Sequence, residues 1–205
     1  MRPFLVCLFL TGSAFAADVS IGVGIGPSTA SVRVPTGIFS GESSTATVLV
    51  DGAAKLIGFG PLSLQLDVPL AFGGPAQANV VASSGGAAAY AERMQFALTP
   101  GLKARVGLGL LSPWVSFGVG TARFSQAAAG FPSFGSVVNA SSDRWALALS
   151  PAGGLDIRPL PILLLRAEIR SYTYKNPSDV LSGFSAFQPN WRSNLLFIGS
   201  VGVRF

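Results

Sequence analysis

From Leu195 to the final Phe205 the chain alternates with a period of two. Phe205, Val203, Val201, Phe197 and Leu195 fall on one face, with Gly199 the one gap, while Arg204, Gly202, Ser200 and Asn194 fall on the other. That period marks a strand whose two faces meet different surroundings. Alternating segments can be laid along the sequence at 18–26, 45–57, 61–72, 91–106, 112–124, 143–158, 161–173 and 193–205. Each reaches about the 9–11 residues that a tilted membrane strand needs. Short links at 58–60, 107–111 and residue 160 take turns with long ones at 27–44, 73–90, 125–142 and 174–192, which are rich in Gly, Ser, Ala and Pro. Short links on one side and long ones on the other predict an all-β fold: an eight-stranded antiparallel up-and-down transmembrane β-barrel, both termini on the short-link side.

The seventh segment sets the register. Arg166, Glu168 and Arg170 share one face, and Leu163, Leu165, Ala167 and Ile169 the other. A one-residue slip would turn those charges to lipid, at about 2–4 kcal/mol for each arginine near the midplane. The same phase predicts that Asp51, Lys55, Gln65, Asp67, Lys103, Arg105, Asp156, Arg158 and Arg204 point inward. In the fifth segment Val115, Phe117 and Val119 point outward. Ser116, Gly118 and Gly120 point inward, leaving room for long charged residues in a lumen barely wide enough for side chains. Trp114 is assigned to the inner aromatic girdle, and Trp145 and Trp191 to the outer one. Thr99-Pro100 and Ser150-Pro151 echo each other, and because proline cannot donate to a ladder, both predict a bulge or kink.

Composition agrees with a lipid-covered exterior. Only 11% of residues are Asp, Glu, Lys or Arg, against about 25% in ordinary soluble domains. Residues 1–16 read as a secretory signal: Arg2, the apolar run from Phe4 to Leu10, and Ala14-Phe15-Ala16 as a small-x-small site for cleavage after Ala16. The single cysteine, Cys7, lies inside that signal, so the mature barrel of residues 17–205 has neither disulfides nor thiolate metal sites. The formal charge of +5 is scattered, with no basic stripe of the kind nucleic-acid binding requires.

The signal, the Trp114 to Phe124 segment, the hairpin from Gly153-Gly154-Leu155-Asp156-Ile157-Arg158 to Leu165-Arg166-Ala167-Glu168, and the closing Val201-Gly202-Val203-Arg204-Phe205 together resemble the small eight-stranded outer-membrane barrels, the OmpA/OmpX-like group or outer membrane protein beta-barrel domain family. The resemblance spans the mature chain. It implies residence in the outer membrane of a Gram-negative-type bacterium, with outer-membrane lipid as surroundings. It also implies a transient partner, the barrel-assembly machinery, which would read Phe205 with Val203, Val201 and Phe197 as its signal. No peptidoglycan-binding domain follows the barrel, so the anchoring role of two-domain relatives is not transferred.

The chain has no histidine, which removes Ser-His and Asp-His catalysis, and nothing in it implies a cofactor or a metal. Three readings of function follow. The leading one is a non-enzymatic barrel serving envelope integrity or surface interaction through its external loops, with an unidentified partner. Second is a narrow, weakly anion-preferring channel, since seven inward basic residues (Lys55, Lys103, Arg105, Arg158, Arg166, Arg170, Arg204) face four acidic ones (Asp51, Asp67, Asp156, Glu168). Against the channel stands structural filling, in which these charges pair and plug the lumen. Third is a histidine-independent envelope enzyme. On the loops, Phe131, Phe134, Phe184 and Phe187 either pack over the barrel mouth or form a contact patch.

Overall fold

The computed structural model describes residues 17–34, 37–74, 76–83, 86–132, 138–175 and 191–205. The strands are β1 (Ala17–Val34), β2 (Gly37–Phe59), β3 (Leu62–Phe72), β4 (Ala76–Ser83), β5 (Gly86–Leu98), β6 (Gly101–Val106), β7 (Leu111–Pro132), β8 (Val138–Ile157), β9 (Leu163–Lys175) and β10 (Trp191–Arg204). They form a closed antiparallel barrel of eight staves, in which β5 and β6 are the two halves of the fourth and β4 is an extension of the third. Closure is made by β1 against β10, from Asp18 opposite Arg204 to Ile25 opposite Phe197.

At the short-turn end, backbone bonds lace the links together. Gly107 donates to the Pro61 carbonyl (2.7 Å), Arg158 to that of Leu110, Arg204 to that of Ile162, and Phe205 to that of Ala17 (each 2.9 Å). Gly60 and Gly109 adopt positive φ (58° and 72°), which glycine meets without steric cost.

At the other end the structure departs from the expected long loops. β2 has 23 residues and β7 has 22, about twice the 9–11 a crossing needs. Most of 27–44, 73–90 and 125–142 is therefore strand, in hairpins that rise beyond the bilayer. The pattern concealed this because a ladder standing in water needs no apolar face. Of 174–192, residues 176–190 lie outside the described residues, as do residues 1–16 of the expected signal.

These external hairpins are not simple continuations of the staves. The β1–β10 ladder ends at Ile25, and Pro27, which has no N–H to give, follows two residues later. Above it β1 takes β4 as a parallel neighbour, from Thr29 opposite Gln77 to Arg33 opposite Val81. The chain reaches that position through Gly73 (φ 72°) and Gly74. The external strands thus run β2, β1, β4, β5, β7, β8.

The two proline sites behave differently. At Thr99-Pro100 the fourth stave breaks, opposite Val68-Pro69 of β3, so two prolines share one lapse in the ladder. β7 closes on this break: a Cβ at Gly118 would stand 2.2 Å from the Thr99 carbonyl oxygen, and one at Gly120 would stand 2.0 Å from that of Leu98. These glycines admit a neighbouring backbone, not the charged side chains expected there. At Ser150-Pro151, by contrast, β8 runs through in unbroken register with β7, and only its pairing to β9 lapses. The ladder to β9 lapses over Ser150 and Pro151 and resumes in the same register at Ala152.

Gly118→Val should therefore lower the urea midpoint of the refolded barrel, at the 1–3 kcal/mol typical of overpacking or more, because the obstacle is backbone. Gly52→Val, at a site with nothing within 4 Å of the added Cβ, should leave it unchanged. Equal midpoints for the two variants would contradict this packing.

Candidate functional site

Inside the lower lumen a single chain of ion pairs alternates in sign. Arg204 Nε meets Asp18 (3.6 Å), Asp18 accepts from Arg105 Nη1 (2.6 Å), and Arg105 reaches Asp156 (3.5 Å). Asp156 accepts from Arg166 Nε (2.7 Å), Arg166 Nη1 donates to Asp51, and Asp51 accepts from Lys103 Nζ (3.1 Å). Lys103 pairs in turn with Asp67, Asp67 with Arg170 (3.5 Å), and Arg170 Nε with Glu168 (3.0 Å). Five cations and five anions are joined, and all but Arg204 are buried. The indole of Trp114 completes the chain, its Nε1 donating to Asp156 (2.9 Å) while Lys103 Nζ sits 4.5 Å from the ring centre. Gly154 provides the space, since a Cβ there would stand 2.7 Å from the indole.

Strand phase brings these side chains together. Asp51, Asp67, Lys103, Arg105, Asp156, Arg166, Glu168, Arg170 and Arg204 all join the chain of pairs. Lys55 does not: it is the last residue in phase before the register shift between Lys55 and Ile57, near the turn end of β2, and is exposed beside Gly58. Arg158 sits half-buried just past β8, donating to Ser112 (3.0 Å). Trp114 is in the lumen (3% exposed), not in the inner girdle. It occupies the same phase as Ser116, which the alternation already signalled.

Asp18 escaped the sequence reading, although it shares an inward phase with Ser20, Gly22 and Gly24. With Asp18 counted and Lys55 and Arg158 outside it, the chain of pairs among the described residues is balanced, in place of the expected excess of three positive charges.

Above the charged layer the lumen is apolar, which the sequence reading did not anticipate. Leu49, Met94, Phe124, Tyr172, Tyr174, Leu196 and Ile198 form one buried cluster with small alanines. Phe124 and Tyr174 stack with centroids 4.2 Å apart. The Tyr174 hydroxyl donates to Glu92 (2.9 Å) and accepts from Asn194 (3.4 Å). A register shift between Met94 and Phe96 puts Glu92 and Met94 in the lumen with the even phase, while Ala97, Lys103 and Arg105 follow with the odd. Both layers are closed to bulk solvent: Lys103 and Phe124 are 0% exposed and Arg170 is 1%. Among the described residues, no group of His, Cys, Asp and Glu is arranged to hold a metal.

The outer wall is the inverse of the lumen. Val19, Ile21, Val23, Ile25, Val115, Phe117, Val119, Leu165 and Ile169 are exposed, as are Phe197, Val201, Val203 and Phe205. Such a surface has no place in water. A soluble lipid-carrying barrel would have the opposite arrangement. Phe72, Phe96 and Trp145 make edge-on contacts (5.7 and 6.1 Å) at the outer girdle. Phe131 lies on β7 opposite Ala87, its side chain outside the described part, as is that of Trp191 on β10. Phe134, Phe184 and Phe187 lie outside the described residues.

Removing one member of the buried chain leaves an unbalanced charge in it. Asp51→Ala, which leaves Lys103 with Asp67 alone, Arg166 with Asp156 alone and one positive charge in excess, should cost about 3–5 kcal/mol in urea unfolding. Asp143→Ala removes the partner of Arg123 at a site where both side chains are over 40% exposed, and should cost no more than about 1 kcal/mol. Similar losses for both would contradict a dry lumen.

No protein-family model matches the chain, and no curated protein does. Among solved structures it is similar to Ail, the attachment invasion locus protein of Yersinia pestis, in complex with the heparin analogue sucrose octasulfate. That likeness has 13% identity and a TM-score of 0.47 over 93% of this chain and 99% of that one. It is also similar to Neisserial surface protein A (NspA), at 13% identity and a TM-score of 0.43 over 94% of this chain and 98% of that one. The chain's own geometry, closed and antiparallel, apolar outside and charged within, is the architecture of the small eight-stranded outer-membrane barrels.

Proposed function

We propose that this is a non-enzymatic outer-membrane barrel that works through its external sheet, above a lumen that seals instead of conducting. The observation that carries the reading is the dryness of the lumen: Lys103, Asp156, Phe124 and Tyr172 are all 0% exposed. A solute path would have to part both the ion-pair chain and the apolar layer above it. The balance of five cations and five anions also removes the basis for anion preference. What the barrel offers to the outside is the strand surplus of β1–β2, β4–β5 and β7–β8, stiffened by parallel pairing of β1 with β4. The partner of that surface is unidentified. A histidine-independent enzyme finds less support, since the nearest acid-base pair, Tyr174 with Glu92, is buried.

Two further parts of the reading concern biogenesis. Residues 1–16 are the leader, cut after Ala16, and Ala17 enters the sheet at once. The outward Phe197, Val201, Val203 and Phe205 are the signal for the assembly machinery.

A two-armed test addresses the main reading. Purified barrel in planar bilayers should give no steady conductance, and sustained anion-selective openings would overturn the sealed lumen. Cells expressing a deletion of 127–140 should lose adhesion to host-cell or matrix surfaces while keeping the folded barrel. Adhesion equal to that of cells with the full chain would overturn the role of the external sheet. Separately, removal of Phe205 should lower the folded fraction in cells, seen as loss of the heat-modifiable gel band, while refolding in detergent stays intact. An unchanged band in cells would remove Phe205 from assembly.

A further inference from the structure

Two recesses in the outer wall meet at Ile25 and Phe197. The larger, about 670 Å³, is apolar and spans β8, β9, β10 and β1. The smaller, about 360 Å³, lies toward the external end and adds Pro27, Glu42 and Ser44. Register accounts for the first. Leu155, Ala167, Gly199 and Val23 stand opposite one another in a single outward row across four strands, and the two middle members have almost no side chain. A Cβ at Gly199 would meet nothing within 4 Å. In the next row up, Ile169 and Phe197 rise as the wall of the notch.

The second recess follows from the departure of β1 from β10. After Ile25 the two strands separate, and the opened seam is floored by Pro27 with Ser44 opposite it on β2. Glu42 stands two residues further along the same outward face, where it is exposed. The two recesses, adjoining at Ile25 and Phe197, thus offer an apolar bed at bilayer depth and, beyond that ridge, a carboxylate with a hydroxyl toward the external end.

The geometry points to a retained lipid with an ammonium headgroup, its acyl chain over Ala167 and Gly199 and its head against Glu42 and Ser44. This inference rests on the outer wall facing lipid. The larger recess is open along its outer side, as a bed for an acyl chain lying on the wall would be. Glu42 attracts an ammonium and repels a headgroup that carries only negative charge. A second copy of the chain would have to bring a convex ridge to fill the same notch, and no such ridge is required to explain the polar end.

The test is native mass spectrometry of the full barrel released from nanodiscs of equal phosphatidylethanolamine and phosphatidylglycerol. One phosphatidylethanolamine should remain per barrel in preference to phosphatidylglycerol. Gly199→Phe, which fills the notch, should cut that retention about tenfold or more. Gly52→Phe, outward on β2 at another open site, should leave it unchanged. Glu42→Gln should keep a bound lipid but lose the preference between the two headgroups. Wild-type barrel carrying no lipid, or Gly199→Phe retaining lipid as the wild type does, would overturn the site. A dimer that Gly199→Phe dissolves would overturn it in favour of a second copy. Resistance of each variant to urea extraction from membranes reports separately on the lipid-facing wall.

Discussion

A barrel of eight strands encloses too little space for water, so any charge inside it must be answered by another charge at contact distance. The ten-membered chain from Arg204 to Glu168 meets that demand. Each interior member touches two partners of opposite sign, and the chain draws on β1, β2, β3, β6, β8, β9 and β10. The alternation of the strands places it, and it in turn ties staves that are far apart in sequence. Arg166, from the seventh stave, bridges Asp156 on its neighbour and Asp51 across the lumen on β2.

The upper apolar layer follows from the same confinement. Above the ion pairs the lumen is filled by Leu49, Met94, Phe124 and the two tyrosines, with Glu92 buried beside them. A barrel sealed at two levels has little to offer solutes. On the function proposed above, its chemistry is presented outward, on the hairpins above the bilayer or on the wall within it.

Much of this was legible in the sequence because lipid imposes a strict rule. Arg166, Glu168 and Arg170 on one face of a single segment were enough to orient it, and the closing alternation to Phe205 identified the outer wall. What remained hidden has identifiable causes. Bulges after Lys55 and Met94 each shift the phase by one residue, which no count of alternation detects. Leu196 and Ile198 sit on the lumen face of the last strand as apolar residues on what reads as the polar side. The hairpins beyond the bilayer are built from Gly, Ala and Ser, whose backbone pairing leaves no periodic trace. Pro100 and Pro151 look alike in sequence, yet only the first has a proline, Pro69 opposite Thr99, beside it in the neighbouring strand.

Water-edited solid-state NMR of the barrel in lipid bilayers, with ¹⁵N-labelled arginine, tests the sealed charged lumen without altering a residue. The guanidinium groups of Arg166 and Arg170 should receive magnetisation from water slowly, while that of the exposed Arg123 builds up fast. Build-up for Arg166 and Arg170 as rapid as for Arg123 would mean that water reaches the lumen, and the ion-pair chain would then not be what closes it.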